Sequence, residues 1–184
     1  TVSHLRFGPE PIYSTYLIGH ADFIASHQYQ FIHKYDLLSS IKEGGTFLLN
    51  TPFSKDEIWD RLPKKMQEHL VNKKVAFYVI DATKVALQAD LGKRTNTVLQ
   101  TCFFAISGVL PQDEAIKRIK DAIVKSYSHK GDHIVDMNFK AVDMALENLQ
   151  KVDVPDAVTT DRALKPAMSP EADEFVQEVL GKIL

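Results

Sequence analysis

Apolar positions along the 184-residue chain fall into two rhythms. Asp22-Phe23-Ile24-Ala25-Ser26, Thr46-Phe47-Leu48-Leu49-Asn50 and Val75-Ala76-Phe77-Tyr78-Val79-Ile80 are short apolar runs bounded by turn residues, and each predicts a buried strand. The third carries no charge along its length, which suits a central strand covered on both faces. The opening Thr1-Val2-Ser3-His4-Leu5-Arg6-Phe7 also reads as a strand, closed by the turn cluster Gly8-Pro9-Glu10-Pro11. The stretch 12–18 fits either an extended or a helical reading.

The second rhythm is helical. Phe31, Tyr35, Leu38 and Ile41 keep helical spacing and predict a helix over 27–42, ended by Gly44-Gly45. Ser54 and Glu57 have capping-box spacing and open a helix through Trp59 and Leu62, which Pro63 interrupts before a further helical stretch near 65–71. Beyond Asp81 helices dominate, over 82–89, 95–108, 111–128 and 133–150. The third has Ala115, Ile119, Ala122 and Ile123 on one face, and the fourth Val135, Phe139, Val142, Leu146 and Leu149. From Val152 onward Pro155, Pro166 and Pro170 space out a polar stretch that reads as a linker, and Phe175, Val176, Val179 and Leu180 form the apolar side of a closing helix. Strands alternating with helices predict an α/β layered domain over 1–151, with a mostly parallel sheet flanked by helices and a helical C-terminal half. Residues 152–184 are then linker plus short helix. A strand that begins at the first residue, with no lead-in, reads as an N-terminally truncated piece of a longer polypeptide.

Composition narrows the function classes. A net charge of −2 lacks the basic surplus of a phosphate-backbone reader, so no nucleic-acid partner is expected. No apolar run is long enough to cross a bilayer and no signal pattern opens the chain, which predicts no membrane partner and a cytoplasmic location. The single cysteine, Cys102, cannot build a disulfide framework or hold an iron–sulfur cluster alone, and its apolar neighbours mark it as a buried small hydrophobe. Seven histidines show no tight ligand spacing. His129 and His133 could share a helix face, but Gly131 between them breaks it, so no metal is expected.

Three polar features stand out. Asp81 closes the third strand, where α/β sheets bind ligands, but an N-cap of the next helix is the better reading of an Asp at this place. Gly92-Lys93-Arg94-Thr95-Asn96-Thr97 brings a glycine, two cations and a helix N-terminus together, which favours an anion such as phosphate or, equally, a capped helix with a solvated basic loop. Asn138 interrupts an apolar helix face with Ile134, Ala141 and Ala145, so its amide either ties down a neighbour or faces a ligand.

Taken in order, several segments resemble the third domain of pyruvate:ferredoxin (flavodoxin) oxidoreductases. They are Thr1 to Gly8, Ser14-Thr15-Tyr16-Leu17-Ile18, Ala21-Asp22-Phe23, Gly44-Gly45-Thr46-Phe47-Leu48-Leu49-Asn50, Phe77-Tyr78-Val79-Ile80-Asp81-Ala82, Asn96-Thr97 with Gln100-Thr101-Cys102-Phe103-Phe104, and Met137-Asn138 with Ala141-Val142-Asp143. The resemblance spans residues 1 to about 150. It implies a gamma-type coenzyme A-binding domain of an enzyme that decarboxylates pyruvate oxidatively to acetyl-CoA. Thiamine pyrophosphate and iron–sulfur clusters would lie in other domains of the parent, a homodimer that passes electrons to ferredoxin or flavodoxin. By position Asn96 and Asn138 match two coenzyme A-contacting asparagines, with Lys93 and Arg94 as weaker additions. Relatives commonly have Gly-Gly-Arg-Ile-Asn where this chain has Gly92-Lys93-Arg94-Thr95-Asn96. The Gly-Ser-Asp-Gly-Thr loop and lysine of the family's coenzyme A site are absent here, so the resemblance implies weak coenzyme A binding and no oxidoreductase activity by this chain alone. A non-catalytic subunit-packing module and the same domain of an oxidoreductase for another 2-oxoacid are the alternatives.

Overall fold

In the computed structural model, which describes residues 2–13, 15–164, 173, 175 and 176, one four-stranded sheet organises the chain. Its strands are β1 (Ala21–Ser26), β2 (Ile41–Asn50), β3 (Ala76–Ile80) and β4 (Gln150–Val152), in spatial order β1-β2-β3-β4. The first three run parallel and β4 is antiparallel to β3, so the predicted mostly parallel α/β sheet is what forms. Accompanying it among the described residues are the helices α1 (Lys64–Asn72), α2 (Ala82–Gln88), α3 (Asn96–Ile106), α4 (Gln112–Tyr127) and α5 (Asp132–Asn148).

Side-chain alternation along β2 and β3 divides the interior into two cores. Phe47, Leu49, Phe77 and Val79 point to one face, where Phe47 and Phe77 sit directly across the ladder with ring centroids 5.3 Å apart. Both crossovers up to β3 cover that face, through Ile32 and Leu38 in the first and Ile58, Leu62, Met66 and Leu70 in the second. Leu48 and Ile80 point the other way, into a core made with Val85, Ala86, Val98, Cys102, Ala141 and Ala145 of α2, α3 and α5. Helix α4 lies outside these, packing Ile119 and Ile123 on Val135 and Val142 of α5. The chain therefore changes faces once, as it leaves β3.

Three sequence expectations are corrected. Residues 2–8 join no ladder and form an arm, because alternation cannot supply the hydrogen-bonding neighbour a strand needs. The helix over 27–42 is replaced by a 3-10 turn at Tyr29–His33 and further turns, and Ile41 already belongs to β2. Its cause is long-range: the Lys73 ammonium donates to the carbonyls of Leu38, Ser39 and Ile41 at 3.2, 3.0 and 2.8 Å, and fixes them in a turn no helix could adopt. Gly44-Gly45 ends no helix but forms an irregularity inside β2, where the pairing register jumps from Ala21–Ile41 to Phe23–Thr46. Gly44 has φ +70, and a Cβ on Gly45 would meet the carbonyl oxygens of Lys42 and Asp22 at 3.0 and 3.2 Å.

Only half of the expected capping box closes: Ser54 N and Oγ both donate to Glu57 Oε2 at 3.1 and 2.8 Å and hold the Glu57 carboxyl below its ordinary pKa, while Glu57 N donates to Ser54 O at 3.2 Å rather than to the Ser54 hydroxyl. It opens only turns and a 3-10 segment, Trp59–Arg61, before Pro63 starts α1. Residues 153–164, expected as linker, run back along the first face. There Gln67, fully buried, donates to Trp59 O at 2.8 Å and accepts from Thr159 N at 2.9 Å, while Lys64 N donates to Arg162 O at 2.9 Å. Of the closing helix, Phe175 and Val176 are helical; Val179 and Leu180 lie outside the described residues. No helix among the described residues is long and apolar enough to cross a membrane.

Candidate anion site at the start of helix α3

Strand β3 delivers the chain to α2, and Asp81 caps that helix by accepting from Lys84 N at 2.9 Å. Of the two readings open for Asp81, capping is the one its geometry fits. The carboxyl ends of the strands are bridged by a residue the sequence did not single out. Asn50 Nδ2 donates to His27 O and Asn50 Oδ1 accepts from Ala82 N, both at 3.0 Å, which ties the ends of β1 and β3 through β2.

After α2 the chain turns through Asp90 (φ 61) and Gly92 (φ 62), both left-handed, to reach α3. Lys93 and Arg94 are exposed on this turn, and Arg94 Nε donates to Leu91 O at 3.1 Å. Thr95 stands at the N-cap without a side-chain capping bond, and the first intrahelical bond runs from Leu99 N to Thr95 O at 3.0 Å. The amides of Asn96, Thr97 and Val98 therefore have no carbonyl within the helix to bind. First-turn N–H groups without a helical partner, the positive end of an eleven-residue helix and two neighbouring cations suit a phosphate-like anion, with Asn96 and Thr97 at the surface and Val98 buried behind them. Asn96 is exposed in this first turn.

Asn138 comes to the same junction from α5. It is 4% exposed, its Oδ1 accepts from Thr97 Oγ1 at 3.0 Å, and its Nδ2 donates to Ile134 O at 2.8 Å. Both ends of the amide are thus engaged, and it locks the start of α3 onto α5. Each end keeps a second hydrogen-bonding position, one N–H and one lone pair, but at 4% exposure the side chain offers a ligand little access. Thr97 belongs to the Gly92–Thr97 feature singled out in the sequence, but its bond to Asn138, 41 positions away, has no local signal; Thr101, buried one turn on, donates to Thr97 O at 2.8 Å. Lys140 of α5 approaches Asp90 at 3.7 Å, a second tie between α5 and the turn.

The remaining chemistry-bearing residues stay apart. Cys102 is fully buried and desolvation pushes its thiol up to about 12, so it is neither nucleophile nor ligand. His129 lies in the 3-10 turn Ser128–Lys130 and His133 in α5, separated by Gly131 at φ 100. Among the described residues no group of three or more His, Cys, Asp or Glu side chains could hold a metal. An open concavity of about 400 Å³ lies on α4, lined by Gln112, Ile116 and Lys120 with Leu146 of α5, away from this site.

Comparison with known proteins gives the setting. The family model for pyruvate ferredoxin/flavodoxin oxidoreductase matches residues 1–148. A pyruvate-flavodoxin oxidoreductase of Rhodospirillum rubrum is 49% identical over all of this chain, which covers 15% of that relative's length. A pyruvate:ferredoxin oxidoreductase of Moorella thermoacetica is likewise 49% identical over the whole chain, covering 16% of its length. The chain thus spans about one sixth of these relatives. Among solved structures, the pyruvate oxidoreductase subunit PORC of Thermotoga maritima superposes with a TM-score of 0.57 at 18% identity, over 74% of this chain and 67% of that one, a likeness of fold.

Proposed function

Since the chain belongs to the pyruvate ferredoxin/flavodoxin oxidoreductase family, we propose that it serves as the coenzyme A-site and assembly domain of such an enzyme. The parent would convert pyruvate and coenzyme A to acetyl-CoA and carbon dioxide, and pass two electrons to ferredoxin or flavodoxin. The observation that carries the reading is the uncapped start of α3 beside Lys93 and Arg94, held from behind by Asn138. Coenzyme A carries phosphate groups, and this donor set matches them. Lys93 and Arg94 supply charge, the first-turn amides supply directed donors, and Asn96 supplies an exposed amide. Asn138 is a positioning residue acting through Thr97.

A single buried thiol cannot ligate an iron–sulfur cluster, so the clusters are assigned to other domains of the parent. The family resemblance places thiamine pyrophosphate in those domains as well. The site here is half of one, so the chain alone is inactive and gives no calorimetric signal for coenzyme A at micromolar levels. Substituting Asn96→Ala and Asn138→Ala in the full-length enzyme tests the reading. Loss of the Asn96 amide at a charged group, together with loss of the Asn138 bond that holds the start of α3, raises the KM for coenzyme A about tenfold or more, with dimerisation intact. A broken dimer with unchanged affinity would instead favour the subunit-packing reading, for which the exposed apolar side chains of Val2, Leu5, Tyr13, Tyr16 and Leu17 speak. Choice among 2-oxoacids lies in the other domains under either reading.

A further inference from the structure

Separate stretches of chain bring two arginines and a tyrosine together beyond the carboxyl ends of β1 and β2. Tyr29 follows just after β1 and Phe53 just after β2, and their rings meet with centroids 5.2 Å apart. The Arg61 guanidinium lies 3.9 Å from the centre of the Phe53 ring. Arg162 arrives with the returning segment 153–164, and its Nη1 donates to Arg61 O at 3.1 Å. In α/β sheets of this kind, ligands are held beyond the carboxyl ends of the strands.

The polar groups gathered here are donors, and they lack an acceptor of matching charge. Both arginines are exposed and Tyr29 is half-buried. A guanidinium held over an aromatic ring is oriented by that contact and keeps its planar N–H edge available. Among the described residues no carboxylate makes an ion pair with either guanidinium, whereas neighbouring Lys64 has Asp161 at 3.7 Å. Glu57 is near enough to feel the Arg61 charge, yet its Oε2 accepts from Ser54. Burial raises the Tyr29 hydroxyl above its ordinary pKa while Arg61 and Arg162 pull it down. Both cations therefore lie within electrostatic reach of that oxygen, which stays a protonated donor at neutral pH. Two like charges gathered around one hydroxyl, with no carboxylate paired to either, call for an anion from outside the chain.

We propose that Arg61, Arg162 and the Tyr29 hydroxyl form a second oxyanion site, which takes a phosphate-class dianion. Two guanidiniums balance a dianion, and a monocarboxylate would leave one of them uncompensated. Guanidinium edges bond phosphate oxygens in pairs, and the hydroxyl adds a donor from a further direction. The site is separate from the start of α3: Tyr29 and Phe53 pack on the core of the first face, and α3 packs on that of the second. It does not depend on the coenzyme A reading.

Site-resolved NMR on the chain tests this, with inorganic phosphate replacing chloride at constant ionic strength. The Nε–H signals of Arg61 and Arg162 and the amides around Tyr29 should shift together and saturate, with a Kd on the order of millimolar. Tyr29→Phe keeps the ring against Phe53 and removes only the hydroxyl, and Arg162→Met removes one cation. Each should weaken phosphate about tenfold or more, the loss of one hydrogen bond to a charged group, with the amides of β3 unmoved. If Arg162→Met disturbs the returning segment, Tyr29→Phe alone decides. Phenyl phosphate binding more tightly than inorganic phosphate would make the occupant a phosphomonoester, and equal affinity would make it the free ion. No saturable shift at either guanidinium overturns the proposal, as does an equal response to acetate or an affinity that Tyr29→Phe leaves unchanged. Shifts confined to residues 93–97 would report the start of α3 and likewise count against this site.

Discussion

Replacing Asn138 with alanine removes the lock between α3 and α5 and nothing else of size. The side chain makes two hydrogen bonds, from Thr97 Oγ1 at 3.0 Å and to Ile134 O at 2.8 Å. Their loss is asymmetric. Ile134 O lies inside α5 and keeps its helical partner, the amide four residues on. The Thr97 hydroxyl loses its acceptor at a half-buried position. A net hydrogen bond contributes about 1 kcal/mol and a stranded buried group costs about 1–3, so the expected destabilisation is about 2 kcal/mol. For a chain of this size that lowers Tm by about 4–8 °C. The decisive assay is a double-mutant cycle with Thr97→Val, read by denaturant unfolding. A coupling of about 1 kcal/mol is expected, since each single variant already breaks the shared bond. If the two effects add to within about 0.3 kcal/mol, the bond is not a lock and the positioning role of Asn138 is wrong.

Three further outcomes can be checked on the same chain. Gly45→Ala should lower the denaturant midpoint with unchanged slope, by about 1–3 kcal/mol, because its Cβ would meet two carbonyl oxygens at 3.0 and 3.2 Å that have no freedom to retreat; a neutral result would mean that the bulge relaxes. Lys73→Met removes a cation that donates to three carbonyls at 2.8–3.2 Å, so a loss of about 1–3 kcal/mol is expected together with faster proteolysis within 36–41, and resistance there would refute its role as a turn clamp. Cys102 has its thiol raised from 9.0 to about 12 by burial, so its protonated form favours the fold fully below pH 9, and that contribution is lost as pH rises from 9 towards 12. Cys102→Ser should flatten that part of the stability profile, and rapid labelling of native Cys102 by a thiol reagent at pH 8 would contradict its burial.

The legible parts of this fold are those fixed by local periodicity. Helix α4 was expected over 111–128 and runs Gln112–Tyr127, and β3 is the apolar run just after Val75, because in both the buried face repeats with the period of the element itself. The helix over 27–42 failed for the opposite reason. Phe31 and Tyr35 keep helical spacing yet stand exposed, while Ile32, Leu38 and Ile41 are the buried residues, and the decision belongs to Lys73, more than thirty positions away. Strand β4, three residues long, has too little pattern to read and exists only because β3 offers an edge. At the site, Asn138 was visible as a polar residue on an apolar helix face. Its pairing with Thr97 was not, and neither was the role of Asn50, whose two bonds join residues 23 and 32 positions away. Buried polar groups announce themselves in sequence, but the identity of what satisfies them is a tertiary fact.

Helix α3 is held at both of its ends. Its first turn carries Asn96 and Thr97, and about 9 Å further along its axis Phe103 meets Phe7 of the arm at 5.7 Å and Phe23 of β1 at 4.9 Å. Between the two, Val98, Leu99, Thr101 and Cys102 are all buried against the sheet and α5, so the helix has no loose joint within its length. A close-packed element of this kind moves as a body or not at all. The arm and β1 therefore brace one end of the helix whose first turn is the proposed anion half-site, and Asn138 braces the other. A first turn held at both ends presents its amides in a fixed direction before any ligand arrives, which is the preorganisation such a half-site needs.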